Sequence, residues 1–584
     1  MELHQSDLKF TWVDYTVVSA MLLLSTLVGV YYTFFNRQNT FEDYMLGGKT
    51  MGVFPVSMSL VASFISGITL LGLPTEIYLY GTQYSVINFS VLGVLILCIT
   101  FYLPVFYKLQ LNSVFEYLEL RFDHRVRILG ISMYSFCLII YLPAVLYVPS
   151  LAFSQVTGVP VYVVTPIIST ICIFYTTFGG LKAVLWTDTL QNVFTLAAMI
   201  FVLMTGCMRL GGIREVWNIN KEGHRLELFN MDPDPFARNT FWTTFFGYLF
   251  MHLTNLAVNP AAIQRYLSVP TLRQARWTVF YTGVGFYIIM NLTTFLGLVL
   301  YARYHGCDPV AAGVIKTHSQ LVLMYVTEIG KSYPGLAGLF LSGVLSAALS
   351  SVSSWLNSVG GSMYKDFMEV FYPNVHHSEA KQSRIIKAII LILGITSVLL
   401  VFVVERLGQI LQLSVTIMGV EYGPMISLFT LGIFFPRVNT KGAIAGAIVS
   451  LITSCWIIFS AQYYIMIGKL QFPGKITSLD QCSDSNDKHF KSNVSLLFNY
   501  TGVGSPVVAD NSVLQIYQLS YNYYIVVGTL IGIVVGLGVS MCTKPPDSAK
   551  LNPDLFSTYV HMFLPRKHQQ LQLHRGEYML TPTS

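Results

Sequence analysis

Residues 63–76 read SFISGITLLGLPTE. They sit inside an apolar run that begins near Met51, yet they carry Ser66-Gly67, Thr69, Gly72, Pro74 and Glu76. A plain membrane helix has no use for residues that loosen it, because each backbone N–H or C=O left unpaired in hydrocarbon costs several kcal/mol. An opened turn persists there if something else occupies the freed groups, and a bound cation together with a polar solute would do so. The alternative is a Gly/Pro kink of the kind membrane helices tolerate. This stretch alone leaves both open.

The rest of the chain sets the context. Of 584 residues, 53% are apolar and only 11% are charged, against about 25% charged in soluble domains. Apolar runs of membrane-spanning length recur, and segments such as 188–205 and 523–541 lack the polar face that a large soluble helical core would need. The chain reads as an all-α polytopic membrane protein with about thirteen spans, near 12–34, 52–79, 82–107, 127–153, 160–179, 188–212, 238–267, 276–304, 333–364, 384–404, 407–435, 440–464 and 522–543. A net charge of +6, spread through loops, gives no nucleic-acid footprint. The N-terminus lacks the basic region of a cleaved signal peptide, so the first span is expected to act as its own signal.

The Lys/Arg bias places the loops at 108–127, 265–276 and 365–387 on one side with the C-terminal tail. That side is read as cytoplasmic, with the N-terminus outside. The polar 465–521 segment then lies outside, where the sequons at Asn493 and Asn499 can be glycosylated. Those at Asn88 and Asn291 fall in spans and are expected to be silent. Cys307 and Cys482 also fall outside, either bridged or free, since sequence cannot set the Cα separation a bridge needs.

A second interrupted span matches the first. Residues 241–267 read FWTTFFGYLFMHLTNLAVNPAAIQRYL, with His252, Asn255, Asn259 and Pro260 at mid-depth. The broken second span opens one block of five and the broken seventh opens the next. Interrupted helices at corresponding places in two halves point to an inverted-repeat transporter with its site at the breaks. The third helix of the second block, SGVLSAALSSVSSWLNS (342–358), sets Ala347, Ser350 and Ser351 on one face. Their hydroxyls and a carbonyl, with carbonyls of Ala62 and Ile65 from the first break, would make a shell of neutral oxygens. Such a shell suits sodium, whereas a divalent ion would call for carboxylates. Close helix packing is the other use of such serines.

At these residues the chain resembles the sodium:solute symporter family, whose members share a LeuT-type inverted-repeat (5+5) core. The likeness rests on YTTFGGLKAVLWTDTLQ (175–191), GIFFPRVNTKGAIAG (432–446), VFEYLELRF (114–122) and Gln264-Arg265-Tyr266. LGLPTEIYLYGTQY (71–84), YLPAVLYVPSLAF (141–153) and DPDPFARNTFW (232–242) are similar to the monocarboxylate, multivitamin and iodide branch. The resemblance implies the same sodium ligands, Ala62, Ile65, Ala347, Ser350 and Ser351. It implies sodium coupling through Asp188, for which capping of a helix N-terminus at the cytoplasmic edge is the alternative. Thr69 stands where other members use Gln, and Tyr141 where the iodide type has a pocket tyrosine. Substrate is expected near Ser66, Thr69, Tyr141 and Asn259. His252 could hydrogen-bond solute, although such a residue is more often a satisfied bundle histidine, and Glu76 and Tyr78 are read as the outer end of the broken span.

Two departures stand out. Asn259-Pro260 replaces Asn-Gln, and VEYGP (420–424) replaces Gly-Gly-Pro, setting Glu421 in an apolar span. An intramembrane carboxylate is by default functional: it binds a cationic group, tunes ion coupling or carries a proton. Pairing with an arginine, or an edge position near Glu405-Arg406, is the alternative. Unless protonated, Glu421 argues against a simple anionic substrate.

The organisation expected is a first helix (1–51), a first repeat (52–212), an outer loop (213–237), a second repeat (238–435), a twelfth helix (436–464), an outer glycosylated loop (465–521), a last helix (522–543) and a cytoplasmic tail (544–584). The function expected is plasma-membrane import of a small organic solute (monocarboxylate-, vitamin- or anion-like) with sodium. The rival is a non-transporting sensor or sodium-leak channel. No clustered nucleophile and base, and no His-x(3)-His, suggests an enzyme.

Overall fold

The computed structural model describes residues 10–563, apart from 405–409, 483–507, 547–550 and positions 37, 39, 373, 375–376, 473, 511 and 545. Asn493 and Asn499 therefore lie outside the described residues, as do Glu405 and Arg406. Among the described residues, nine helices are long and apolar enough to cross a membrane, or ten if one bent pair counts as a span.

That pair is the opening stretch. Helix α1 (Trp12–Phe34) precedes it. Helix α2 (Val53–Phe64) stops at Ile65 and Ser66, both extended, and α3 (Gly67–Tyr80) resumes at an angle of 61°. Gly67 is needed at the restart. A Cβ there would come within 3.2 Å of the Val344 carbonyl oxygen, so a larger residue would push α3 away from the helix it packs on. Next come α4 (Thr82–Leu109), α5 (His124–Thr157) and α6 (Val161–Arg209). The two spans read at 160–179 and 188–212 appear as two helices, labelled together α6, that meet at a non-helical kink at Gly180, whose φ of 60° admits only glycine comfortably.

The second break is built differently. Helix α7 (Phe241–Leu253) widens into a π-turn over Thr254–Val258, Asn259 is extended, and α8 (Pro260–Leu267) follows. Pro260 fits the first helical position because its missing N–H would have no partner there. The Asn259 side chain accepts from Ala261 N at 2.9 Å. Thereafter come α9 (Leu272–Tyr304), α10 (Leu336–Met363), α11 (Glu379–Val404), α12 (Ile410–Phe434), α13 (Thr440–Met466) and α14 (Tyr524–Cys542).

Helix α10 is the hub: it is almost wholly buried and packs on α6, α5, α1 and α2. Its serines and glycines allow this, since small side chains let helix backbones approach in lipid. Gly442 and Gly446 of α13 lie against Gly532 and Gly536 of α14 by the same logic, small-xxx-small on both faces. The two in-span sequon residues pair with each other: Asn291 donates to the Asn88 side-chain oxygen at 3.3 Å.

Cys307 and Cys482 are bonded, with Cα atoms 5.1 Å apart and 175 residues between them. Beside them Tyr78 donates to Asp308 at 3.0 Å. Burial pushes the Asp308 carboxyl up, but His318 and two backbone N–H groups outweigh it and hold it below the ordinary carboxylate value. Cys482→Ser is expected to cost about 2–4 kcal/mol of stability, read as a fall in the Tm of the purified protein that reductant reproduces in the wild type.

Candidate functional site

The two breaks and α10 enclose a cavity of about 140 Å³. The broken α2–α3 pair contributes Ser66 and Thr69, α5 contributes Tyr141, and α10 contributes Ser351 and Trp355. The second break contributes His252 and Asn255. One end of the cavity is reached by Glu76 and Arg238, which form a two-point ion pair at 2.9 and 3.0 Å. Arg238 also lies over the rings of Tyr80 and Tyr521, 4.3 and 4.9 Å from their centroids. Burial alone would pull the Arg238 guanidinium down, but Glu76 and these two phenols outweigh it and hold it well above its ordinary value.

The expected sodium ligands converge beside this cavity. Ser350 Oγ lies 2.7 Å from the Ala62 carbonyl oxygen and 3.1 Å from that of Ala347, and Ser351 Oγ lies 2.9 Å from the latter. Ala62, Ile65, Ala347 and Ser350 line one small void, with Gln191, Asn192, Thr195 and Ser346. Two buried oxygens of that group, Gln191 Oε1 and Ser346 Oγ, have no hydrogen-bond partner among the described residues. All these donors are neutral oxygens, the chemistry an alkali cation accepts. Gln191 and Ser346 escaped the sequence reading, although Ser346 is i−4 from Ser350 on the same face. Among the described residues no group of three His, Cys, Asp or Glu could hold a transition metal.

Asp188 corrects one reading and extends another. It is not a helix cap: it lies inside α6, fully buried, eight residues past the bend. Arg265, which the charge pattern assigned to a cytoplasmic loop, is instead buried at the end of α8 and pairs with Asp188 at 3.2 Å. Ser59 donates to the same carboxylate at 2.6 Å, and Ser354 at 3.2 Å. Arg265 also bonds Ser63 and Ser354. The network ties α2, α6, α8 and α10 together on the side of the site opposite Glu76–Arg238.

Other expectations separate. Ser66, Thr69 and Tyr141 line the main cavity, but Asn259 and Glu421 do not. They face a second, smaller cavity of about 10 Å³ that shares Tyr141, Trp355 and Met418 with the first. His252 lines the main cavity, and neither its ring nitrogens nor Trp355 Nε1 has a hydrogen-bond partner among the described residues. Their signal was present in the spacing: His252, Asn255 and Asn259 recur at helical intervals, and Trp355 is i+4 from Ser351. Asn255 is held in place by the Tyr422 hydroxyl, which donates to it at 2.8 Å.

Two interrupted helices meet beside a shell of neutral oxygens. The family model "Sodium:solute symporter family" matches residues 44–450. The chain belongs to the sodium:solute symporter family. This symporter is 34% identical to human sodium-coupled monocarboxylate transporter 1 over 91% of its own length and 87% of the relative's. It is 34% identical to the Oryctolagus cuniculus sodium-dependent multivitamin transporter, over 94% and 85%. A Na+-coupled sialic acid symporter, solved substrate-bound and outward-open, shares its fold with a TM-score of 0.74 at 24% identity, covering 92% of this chain and 99% of that one. The nucleobase-cation-symport-1 transporter Mhp1 matches with a TM-score of 0.51 at 12% identity, over 86% and 94%. The symporter is thus a multi-pass membrane transporter and not an enzyme, and sodium is its coupling ion. These relatives lend the sensor or leak-channel reading no support.

Proposed function

We propose that the chain imports a small monocarboxylate with sodium across the plasma membrane, by alternating access of a 5+5 inverted repeat within about thirteen spans. The observation that carries the choice of solute is the cavity: about 140 Å³, lined by neutral donors that have no partner among the described residues. A cavity of ~150 Å³ holds a benzene-sized guest, which favours a short organic acid over a vitamin. The His252 ring N–H and Trp355 Nε1–H are suited to a carboxylate, while Arg238 is already neutralised by Glu76. Sodium at Ala62, Ile65, Ala347, Ser350 and Ser351 would supply the positive charge and hold the break against α10. Solute and sodium then raise each other's affinity, since such coupling is reciprocal. Opening of the Arg265–Asp188 network would release both on the opposite side, the role we assign to Asp188.

The test is a radiolabelled uptake screen of monocarboxylates, vitamins, inorganic anions and amines in cells expressing the full chain, with and without sodium. Sodium-dependent uptake of short monocarboxylates is the expected result, and sodium-dependent uptake of another class alone would reject the assignment. His252→Ala is expected to raise the KM for the solute by about tenfold or more, as loss of a hydrogen bond to a charged group does, with the sodium requirement little changed. Orientation has its own check. Changing both Asn493 and Asn499 to Gln should increase gel mobility if the 465–521 loop is extracellular.

A further inference from the structure

Glu421 is the one departure from the family pattern whose surroundings have not been used. It is only 7% exposed and sits on α12. No described residue gives it a hydrogen bond or an ion pair; every other deeply buried carboxylate described above, Asp188 and Asp308 included, has several. Its side chain faces the small cavity lined by Tyr134, Cys137, Leu138, Tyr141, Asn259 and Trp355, in which no other charged residue appears. A carboxylate cannot stay ionised in such a place without compensation. Either a cation or a proton must neutralise it.

The surroundings favour the proton. A cation needs several oxygens, and most of those here already serve another partner. The Tyr422 hydroxyl donates to Asn255, the Tyr134 hydroxyl is bonded to Ser358, and the Asn259 oxygen caps α8. The cavity, about 10 Å³, leaves room for about one water at most, and none for an ion that keeps part of its shell. The titratable groups that face Glu421 are the phenols of Tyr134 and Tyr141 and the thiol of Cys137 on α5, and Tyr422 on α12 itself. Cys455 of α13 interacts electrostatically with Cys137, and Arg265 of α8, which acts on Tyr134 in the same way, is already paired with Asp188. A proton needs no shell, and a neutral carboxyl is tolerated where a carboxylate is not.

The wall between the two cavities is Tyr141, Trp355 and Met418. An anionic solute in the larger one would therefore lie one side chain away from Glu421. We propose that Glu421 is a proton-binding site linked to solute binding: it holds a proton, taken from the solvent on the entry side, before the anion binds, and returns it to solvent on the exit side when the anion leaves. One proton then accompanies each solute, and no bond other than the carboxyl O–H forms or breaks. This rests in part on the solute being an anion, as proposed above.

The test joins two measurements on the full-length protein reconstituted in vesicles. In the first, sodium-driven uptake of a short monocarboxylate is followed with a lumenal pH dye while sodium is held constant. Wild-type uptake should rise at least about threefold between about pH 8 and pH 6 and acidify the lumen, as expected when the protonated form is the competent one. Glu421→Gln, which mimics the protonated form, should retain uptake, lose the pH dependence and stop the acidification; Glu421→Asp should retain both. An unchanged pH profile in Glu421→Gln, or a lower number of sodium ions per solute with no change in proton movement, would overturn the proposal, the latter in favour of a cation site. The second measurement needs no solute: an infrared spectrum of the purified protein should show a protonated-carboxyl band that Glu421→Gln removes. If no monocarboxylate is taken up, the solute assignment has failed and this band decides for Glu421. Identical spectra would reject the proton site.

Discussion

Ser350→Ala raises the sodium concentration for half-maximal uptake by about 10- to 100-fold, with a smaller change in maximal rate at saturating sodium. Hydrogen bonds or ligand contacts to a charged partner are worth roughly 1.5–3 kcal/mol each, and one tenfold step in affinity is about 1.4 kcal/mol. Ser350 is the sharper choice of the two serines because its hydroxyl reaches the carbonyl of Ala62 at the break as well as that of Ala347 on its own helix. Its loss removes a ligand and also the bridge between α2 and α10. Ser351→Ala should act in the same direction and more weakly, since its hydroxyl contacts only Ala347 within its helix. Sodium-dependence curves for uptake or current decide the matter. An unchanged sodium requirement in both variants would remove this shell from the coupling site.

The second large effect concerns the buried ion pair. Asp188→Asn or Arg265→Met should each cost about 3–5 kcal/mol, because removal of one partner strands the other charge in the interior. Arg265 and Asp188 are both essentially without solvent exposure, and four serines share their hydrogen bonds, so neither can turn to water. The expected readout is loss of the protein from the cell surface or a marked fall in thermal stability in detergent. The double variant Asp188→Leu/Arg265→Met should recover much of the stability, since apolar replacement of a whole buried pair is often near neutral. It should not recover transport, because a packed apolar plug has no ionic latch for the coupling ion to act on. Recovery of full uptake in the double variant would make the pair purely structural.

Much of this molecule could be read from its residues in order. The spans near 12–34, 276–304, 440–464 and 522–543 appear as α1, α9, α13 and α14 with ends shifted by a few residues, because an apolar run of that length in lipid has only the helix available to it. The break at Ile65–Ser66 was legible from Ser66-Gly67 in an apolar run, and the serine face of α10 from its i, i+3, i+4 spacing. The second break was legible from Asn259-Pro260, but the use of Asn259 was not. Its side chain serves the backbone of the next helix, as an N-cap does, and faces the smaller cavity. The sequence also left His252 open between a solute contact and a satisfied bundle histidine. A histidine in an apolar helix is usually satisfied by a neighbouring helix, and only the arrangement of neighbours reveals that neither ring nitrogen has a partner among the described residues.

The local pattern of apolar length, small residues and helix breakers by itself determined that this chain is a polytopic helical protein with two interrupted helices and a hydroxyl-bearing face, because those features depend on spacings of a few residues. What tertiary structure alone decided is which distant groups meet. Arg265 finds Asp188 across 77 positions, Cys307 finds Cys482 across 175, and Glu421 finds no partner among the described residues. Such pairings are set by how whole helices pack, and charge compensation in a low-dielectric interior depends on distances of a few ångströms that no local spacing encodes.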